Sequence, residues 1–176
     1  MFTIEQNILT SFSLDDIHNG VLTINGSDDL RFIGRSVFAN SIGRDYRICE
    51  AVRKIIIRNV DEIWGTAFVK LPNLEEVIIE NERATKPTKI CQDAFSINPN
   101  LKKISIYGKD FELEGCFQSC EKVTDINISA RKITNKNMPF EKSGTSKTTV
   151  YLNAEIESGD YAFAPNATII SARSRG

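Results

Sequence analysis

Apolar residues recur along the chain in a fixed frame. Ile63-x4-Phe68-x5-Leu74-x2-Val77-x-Ile79 is followed at identical spacing by Ile90-x4-Phe95-x5-Leu101-x2-Ile104-x-Ile106. A third copy, Leu113-x3-Phe117-x5-Val123-x2-Ile126-x-Ile128, is one residue shorter near its start. Upstream, Ile33-x4-Phe38 begins a copy that resumes as Val52-x2-Ile55-x-Ile57 after an insertion. Downstream, Ile133, Phe140, Val150 and Leu152 form a looser copy, and Ile156, Phe163 and Ile169 a truncated one. Successive phenylalanines at 38, 68, 95, 117, 140 and 163 settle on a unit of 22 to 23 residues.

The ending of each copy alternates with period two, so its paired Ile or Val side chains point one way from a short strand. A single such strand cannot bury its apolar row. Stacked in parallel at about 4.8 Å, the strands make a continuous wall, and the Leu and Phe of each turn fill the space behind it. Leu71-Pro72-Asn73 and Asn98-Pro99-Asn100 mark the corner that enters the strand. The pattern predicts a β-rich solenoid with a curved parallel sheet of about five to six strands. Too few residues separate each Phe from the corner Leu for a long helix, so the convex side is predicted to be short and irregular or a single helical turn.

The motif Ile-x-x-x-Ala-Phe-x-x-Cys-x-x-Leu-x-x-Ile-x-Ile resembles the BspA-type leucine-rich repeat. Thr66-Ala67-Phe68, Asp93-Ala94-Phe95, Gly115-Cys116-Phe117 and Tyr161-Ala162-Phe163 match its Ala-Phe step, and Phe117 to Val123 matches the following segment with Cys120 in place. The resemblance spans residues 30–170 and implies a leucine-rich-repeat solenoid of the α/β repeat class. It also implies protein binding, since the family is known mostly from surface and secreted binding proteins of bacteria and protists. Residues 1–29 fall outside the frame and carry five acids with no Lys or Arg. They are read as an N-terminal cap, with a strand at residues 21–26 and a short helical turn before it. Residues 171–176 are read as a tail, and the whole as one domain.

Composition narrows the class. The 176 residues are 41% hydrophobic and 26% charged with a net charge of -1, which excludes a disordered tail or a collagen-like rod. Ile outnumbers Leu 23 to 9, in keeping with strands. No run approaches a membrane span, and no overall charge advertises nucleic acid or anionic lipid. Met1 to Asn7 has no basic segment of the kind that opens a secretory leader. The expected compartment is therefore the cytoplasm, of the protein's own cell or a host. A surface adhesin, the family's commoner habit, would need a leader upstream.

No constellation of catalytic residues is visible, and no cofactor or metal is expected. Cys116 and Cys120 lack further ligands at zinc spacing, and the one histidine, His18, has no nucleophile beside it. Cys49 and Cys120 share a repeat position with Leu71 and Asn98, which suits small buried side chains. Gly144 to Thr148 lacks the glycines of a phosphate loop, and Asp15-Asp16 and Asp28-Asp29 read as a solvated cap. The chain is expected not to be an enzyme.

The outward-facing row carries more information. Lys54, Ile56 and Arg58, then Glu76, Ile78 and Glu80, then Lys103, Ser105 and Tyr107, and then Asp125, Asn127 and Ser129 alternate with the buried positions. In-register stacking makes Lys54, Glu76, Lys103 and Asp125 one rung of alternating sign and starts a second at Arg58 and Glu80. Ile56 and Ile78 lie between the rungs, with Tyr107 and Tyr151 further along, as in a protein-binding patch rimmed by charge. The leading reading is an inhibitor or adaptor that occupies a protein partner through this face or through the inserted loop at residues 40–47, a role that fits a virus- or pathogen-encoded effector. The alternative is nucleic-acid or phosphate binding. Residues 31–58 hold seven Lys and Arg against two acids, and the insertion carries Arg44, Tyr46 and Arg47. The favoured reading of that positive charge is that it neutralises the neighbouring acidic cap. Open strand edges permit either a monomer or an edge-paired dimer.

Overall fold

The computed structural model describes residues 1–158 and 167–171. Thirteen strands and two short helices occur among them. In chain order they are β1 (Thr3–Glu5), β2 (Ile8–Ser11), β3 (Ile17–His18), β4 (Val21–Asn25), β5 (Phe32–Ile33), α1 (Val37–Ile42), α2 (Ile48–Ala51), β6 (Lys54–Arg58), β7 (Glu62–Ile63), β8 (Glu76–Glu80), β9 (Thr88–Ile90), β10 (Lys103–Glu114), β11 (Asp125–Lys136), β12 (Thr149–Ser158) and β13 (Thr168–Ser171). The expected Ala-Phe step at Tyr161 to Phe163 and the tail beyond Ser171 lie outside the described residues.

Two parallel ladders run the length of the solenoid. The first stacks β4, β6, β8 and then the leading halves of β10, β11 and β12, ending on β13. Its register sets Ile55, Val77, Ile104, Ile126, Val150 and Ile169 in one inward column. Through Val150 those side chains are buried, each contributing about 1.5–3 kcal/mol relative to exposure. The second ladder stacks β2, β5, β7, β9 and the trailing halves of β10, β11 and β12. The repeat marked its inward column at Ile33, Ile63, Ile90 and Leu113 but no strand around it, and this second ladder occupies part of the side expected to be irregular. In the early turns its strands are two or three residues long, and only stacking makes them a sheet.

In β10 the two ladders meet at a corner where Gly108 adopts φ 134°. A Cβ there would lie 2.2 Å from Asn81 Oδ1. Buried Asn81 holds that corner: its amide accepts from Lys109 N at 2.7 Å and donates to Asp110 O at 2.7 Å and Thr88 Oγ1 at 3.1 Å.

The third side is made by the phenylalanine turns. Phe68, Phe95, Phe117 and Phe140 stack as a file inside the solenoid, with centroids 5.4, 5.0 and 5.6 Å apart and interplanar angles of 20° or less. The N–H groups of Phe68, Phe95 and Phe117 donate to the carbonyl one turn on, at Ala94, Cys116 and Pro139, each at 2.8 Å. The residue two before each Phe is left-handed: Ser36, Thr66, Asp93, Gly115 and Met138. This irregular turn is the short convex element that the sequence predicts.

At the N-terminal end, β2 and β4 supply the first parallel strand of each ladder, and β1 and β3 pair antiparallel with them. A 3-10 turn at Leu14–Asp16 lies where a short helical turn is expected. Burial pushes the Asp16 carboxyl up, but the Ser13 N–H, the Met1 ammonium 2.9 Å away and the Ser13 hydroxyl together outweigh it and hold the group below its usual range.

Candidate functional site

The first ladder presents its outer face in three columns. The central column runs Thr23, Ile56, Ile78, Ser105, Asn127, Tyr151 and Ile170. One flank places Lys54, Glu76, Lys103 and Asp125 side by side, and the other Arg58, Glu80, Tyr107 and Ser129. This is the register the alternation predicts.

The charges nearest the two isoleucines are paired with each other. Lys54 Nζ lies 2.8 Å from Glu76 Oε2, and Arg58 Nε lies 2.7 Å from Glu80 Oε2. The expected rung is only half closed, because Lys103 is exposed and forms no ion pair among the described residues. Asp125 instead accepts from Thr124 Oγ1 at 2.7 Å. Ile56 and Ile78 are half-buried by these flanking side chains, as is Tyr107, while Tyr151 is 46% exposed. The face is thus an apolar strip walled by neutralised pairs.

The insertion is folded rather than loose. Its α1 and α2 bury Val37, Phe38 and Ile48, and Ser41 Oγ accepts from Phe12 N at 2.8 Å. Arg47 is held by Asp45 through Nε at 3.0 Å and Nη2 at 2.7 Å, and these bonds keep the Asp45 carboxyl below its usual range. Arg44 Nη1 donates to Thr3 Oγ1 at 3.0 Å, and Tyr46 is 74% exposed. Most of the remaining positive charge of residues 31–58 is answered one turn downstream, at Asp61, Glu75, Glu76 and Glu80. No ion pair joins this segment to the acids of residues 1–29 among the described residues, although, after Asp45, the Asp15 carboxylate of the cap also favours the charged form of Arg47.

The thiols differ in their surroundings. Cys116 and Cys120 are buried, and burial pushes both above the ordinary range. Cys91 is half-buried, and burial followed by its 3.1 Å contact with Glu62 Oε1 pushes it up to about 12. Cys49 is half-buried in α2. His18 is exposed. No group of three or more His, Cys, Asp or Glu side chains suited to a metal occurs among the described residues, and no described helix is long and apolar enough to cross a membrane.

Stacked parallel strands, a phenylalanine file and a short convex turn define a leucine-rich-repeat solenoid. The model of the BspA-type leucine-rich-repeat region matches residues 45–170 in six copies, and the chain belongs to that family. Nothing among curated proteins or solved structures matches it.

Proposed function

We propose that this chain is a non-enzymatic module that binds a protein partner through the outer face of the first ladder, acting as an inhibitor or adaptor in the cytoplasm of its own or a host cell. Repeats of this family generally serve protein interactions and are generally not enzymes. The observation that carries the reading is the Ile56–Ile78 strip between the Lys54–Glu76 and Arg58–Glu80 pairs. Charges already paired within the surface need not find exact partners across an interface, and the apolar strip between them supplies the area that a partner removes from water.

The test is affinity capture from native or host lysate at about 0.15 M salt, with wild type beside an Ile56→Glu/Ile78→Glu variant whose circular dichroism matches it. A protein held by wild type and lost by the variant, followed by direct titration of the purified pair, supports the face. Equal retention by both removes it. Capture of only nuclease-sensitive material, lost in Arg44→Glu/Arg47→Glu, would move the site to the insertion. An extracellular protein captured through the same strip would keep the surface but make the role that of an adhesin.

A further inference from the structure

Where the second ladder runs into the phenylalanine turns, four successive turns leave a groove of about 610 Å³. Its size lies within the range of small-ligand sites. Trp64 is half-buried on its wall, packed on Phe32 at 6.1 Å between ring centroids. Gly65 lets the next turn come close, since a Cβ there would lie 2.8 Å from Gln92 O, and Arg35 Nη1 lies 3.6 Å from that same position.

The polar groups around Trp64 fall into two sets. Lys89 is occupied, 3.9 Å from Glu62 and 3.7 Å from Glu114. By contrast, Arg35, Trp64, Gln92 and Asp93 line the same groove, and their side chains make no hydrogen bond or ion pair to the described residues. A guanidinium, an amide and a carboxylate are planar groups that bond two neighbouring oxygens at once. The formal charges decide what kind of ligand they suit. Three carboxylates oppose a bound anion, and two cations oppose a bound cation. A neutral ligand rich in hydroxyls satisfies donors and acceptors without either conflict, and the flat apolar body of an indole suits the C–H face of a sugar ring.

We propose that this groove binds a neutral carbohydrate, one ring resting on Trp64 and its hydroxyls bonded by Arg35, Gln92 and Asp93. The site is separate from the outer face of the first ladder and does not depend on it. Trp64 is the chain's single tryptophan, so its fluorescence reports this groove alone. The experiment titrates the full chain with cellotriose, maltotriose, mannotriose and chitotriose, by fluorescence and by calorimetry, with inorganic phosphate as the anionic comparison. At least one trisaccharide is expected to bind saturably. Arg35→Ala and Gln92→Ala, folded as judged by circular dichroism, are each expected to weaken it about tenfold, and Trp64→Ala to abolish the calorimetric signal. Absence of binding by all of these sugars overturns the proposal, as does saturable binding of phosphate alone or undiminished affinity in the variants.

Discussion

The position three residues after Phe68, Phe95, Phe117 and Phe140 is the place to test how the turns are held together. It is occupied by Leu71, Asn98, Cys120 and Ser143, and from Asn98 onward it reaches back one turn. Asn98 Nδ2 donates to Phe68 O at 3.0 Å and to Phe95 O at 2.6 Å, while its Oδ1 accepts from Leu71 N at 2.7 Å. Cys120 Sγ donates to Phe95 O at 3.3 Å, and Ser143 Oγ accepts from Cys120 N at 2.8 Å while donating to Phe117 O. Asn98→Leu places at this position the residue its neighbouring turn already carries there, so the change is close in shape. It leaves the Leu71 N–H and the Phe68 carbonyl without partners in a fully buried site, whereas Phe95 O keeps Cys120. Two orphaned backbone groups cost about 1–3 kcal/mol each, and the added apolar surface offsets on the order of 1 kcal/mol. A net loss of about 1–5 kcal/mol is expected, lowering Tm by at least about 2 °C at this chain length. Guanidinium unfolding followed by far-UV circular dichroism measures it, with Cys120→Ser as the comparison, since a hydroxyl can still donate to Phe95 O. If Asn98→Leu unfolds within about 0.5 kcal/mol of wild type, the side-chain bridge does not hold the turns and the reasoning fails.

Two further predictions follow from buried groups. Asn135 is 2% exposed, its amide has no hydrogen-bond partner, and it continues the inward column of Ile33, Ile63, Ile90 and Leu113. Asn135→Leu is therefore expected to raise stability by about 1–3 kcal/mol, seen as a higher denaturant midpoint, and a lower midpoint would contradict it. The folded state holds the thiol protons of Cys91, Cys116 and Cys120 more tightly than the unfolded chain does. Their contribution is thus fully present below the ordinary thiol value of 9.0 and is lost as pH rises above it toward the folded values. Stability measured against pH should fall on the alkaline side of that value, and less steeply in Cys116→Ala; identical slopes would refute the assignment.

What was legible in the chain, and what was not, follows from strand length. Five-residue strands such as Lys54–Arg58 and Glu76–Glu80 show two inward and three outward positions, enough for the alternation to fix register and predict the Lys54–Glu76 and Arg58–Glu80 pairs. Phe32–Ile33 and Glu62–Ile63 offer one inward residue each, so the recurring Ile33, Ile63 and Ile90 carry no two-residue alternation to announce the second ladder as strands. The groove escaped notice for the same reason. Arg35, Trp64 and Gln92 belong to three different turns and meet only because the short strands stack. The polar bridge was hidden differently: its position was aligned, but Leu71, Asn98, Cys120 and Ser143 share no side-chain chemistry. What unites the last three is a carbonyl one turn behind, at Phe68, Phe95 or Phe117. In a solenoid the inward frame repeats along the chain because every turn must fill the same core. The groups that link one turn to the next vary with whatever the neighbouring backbone leaves unpaired. Register alone therefore locates the outer face, while the groove and the bridge become visible only when the turns are stacked.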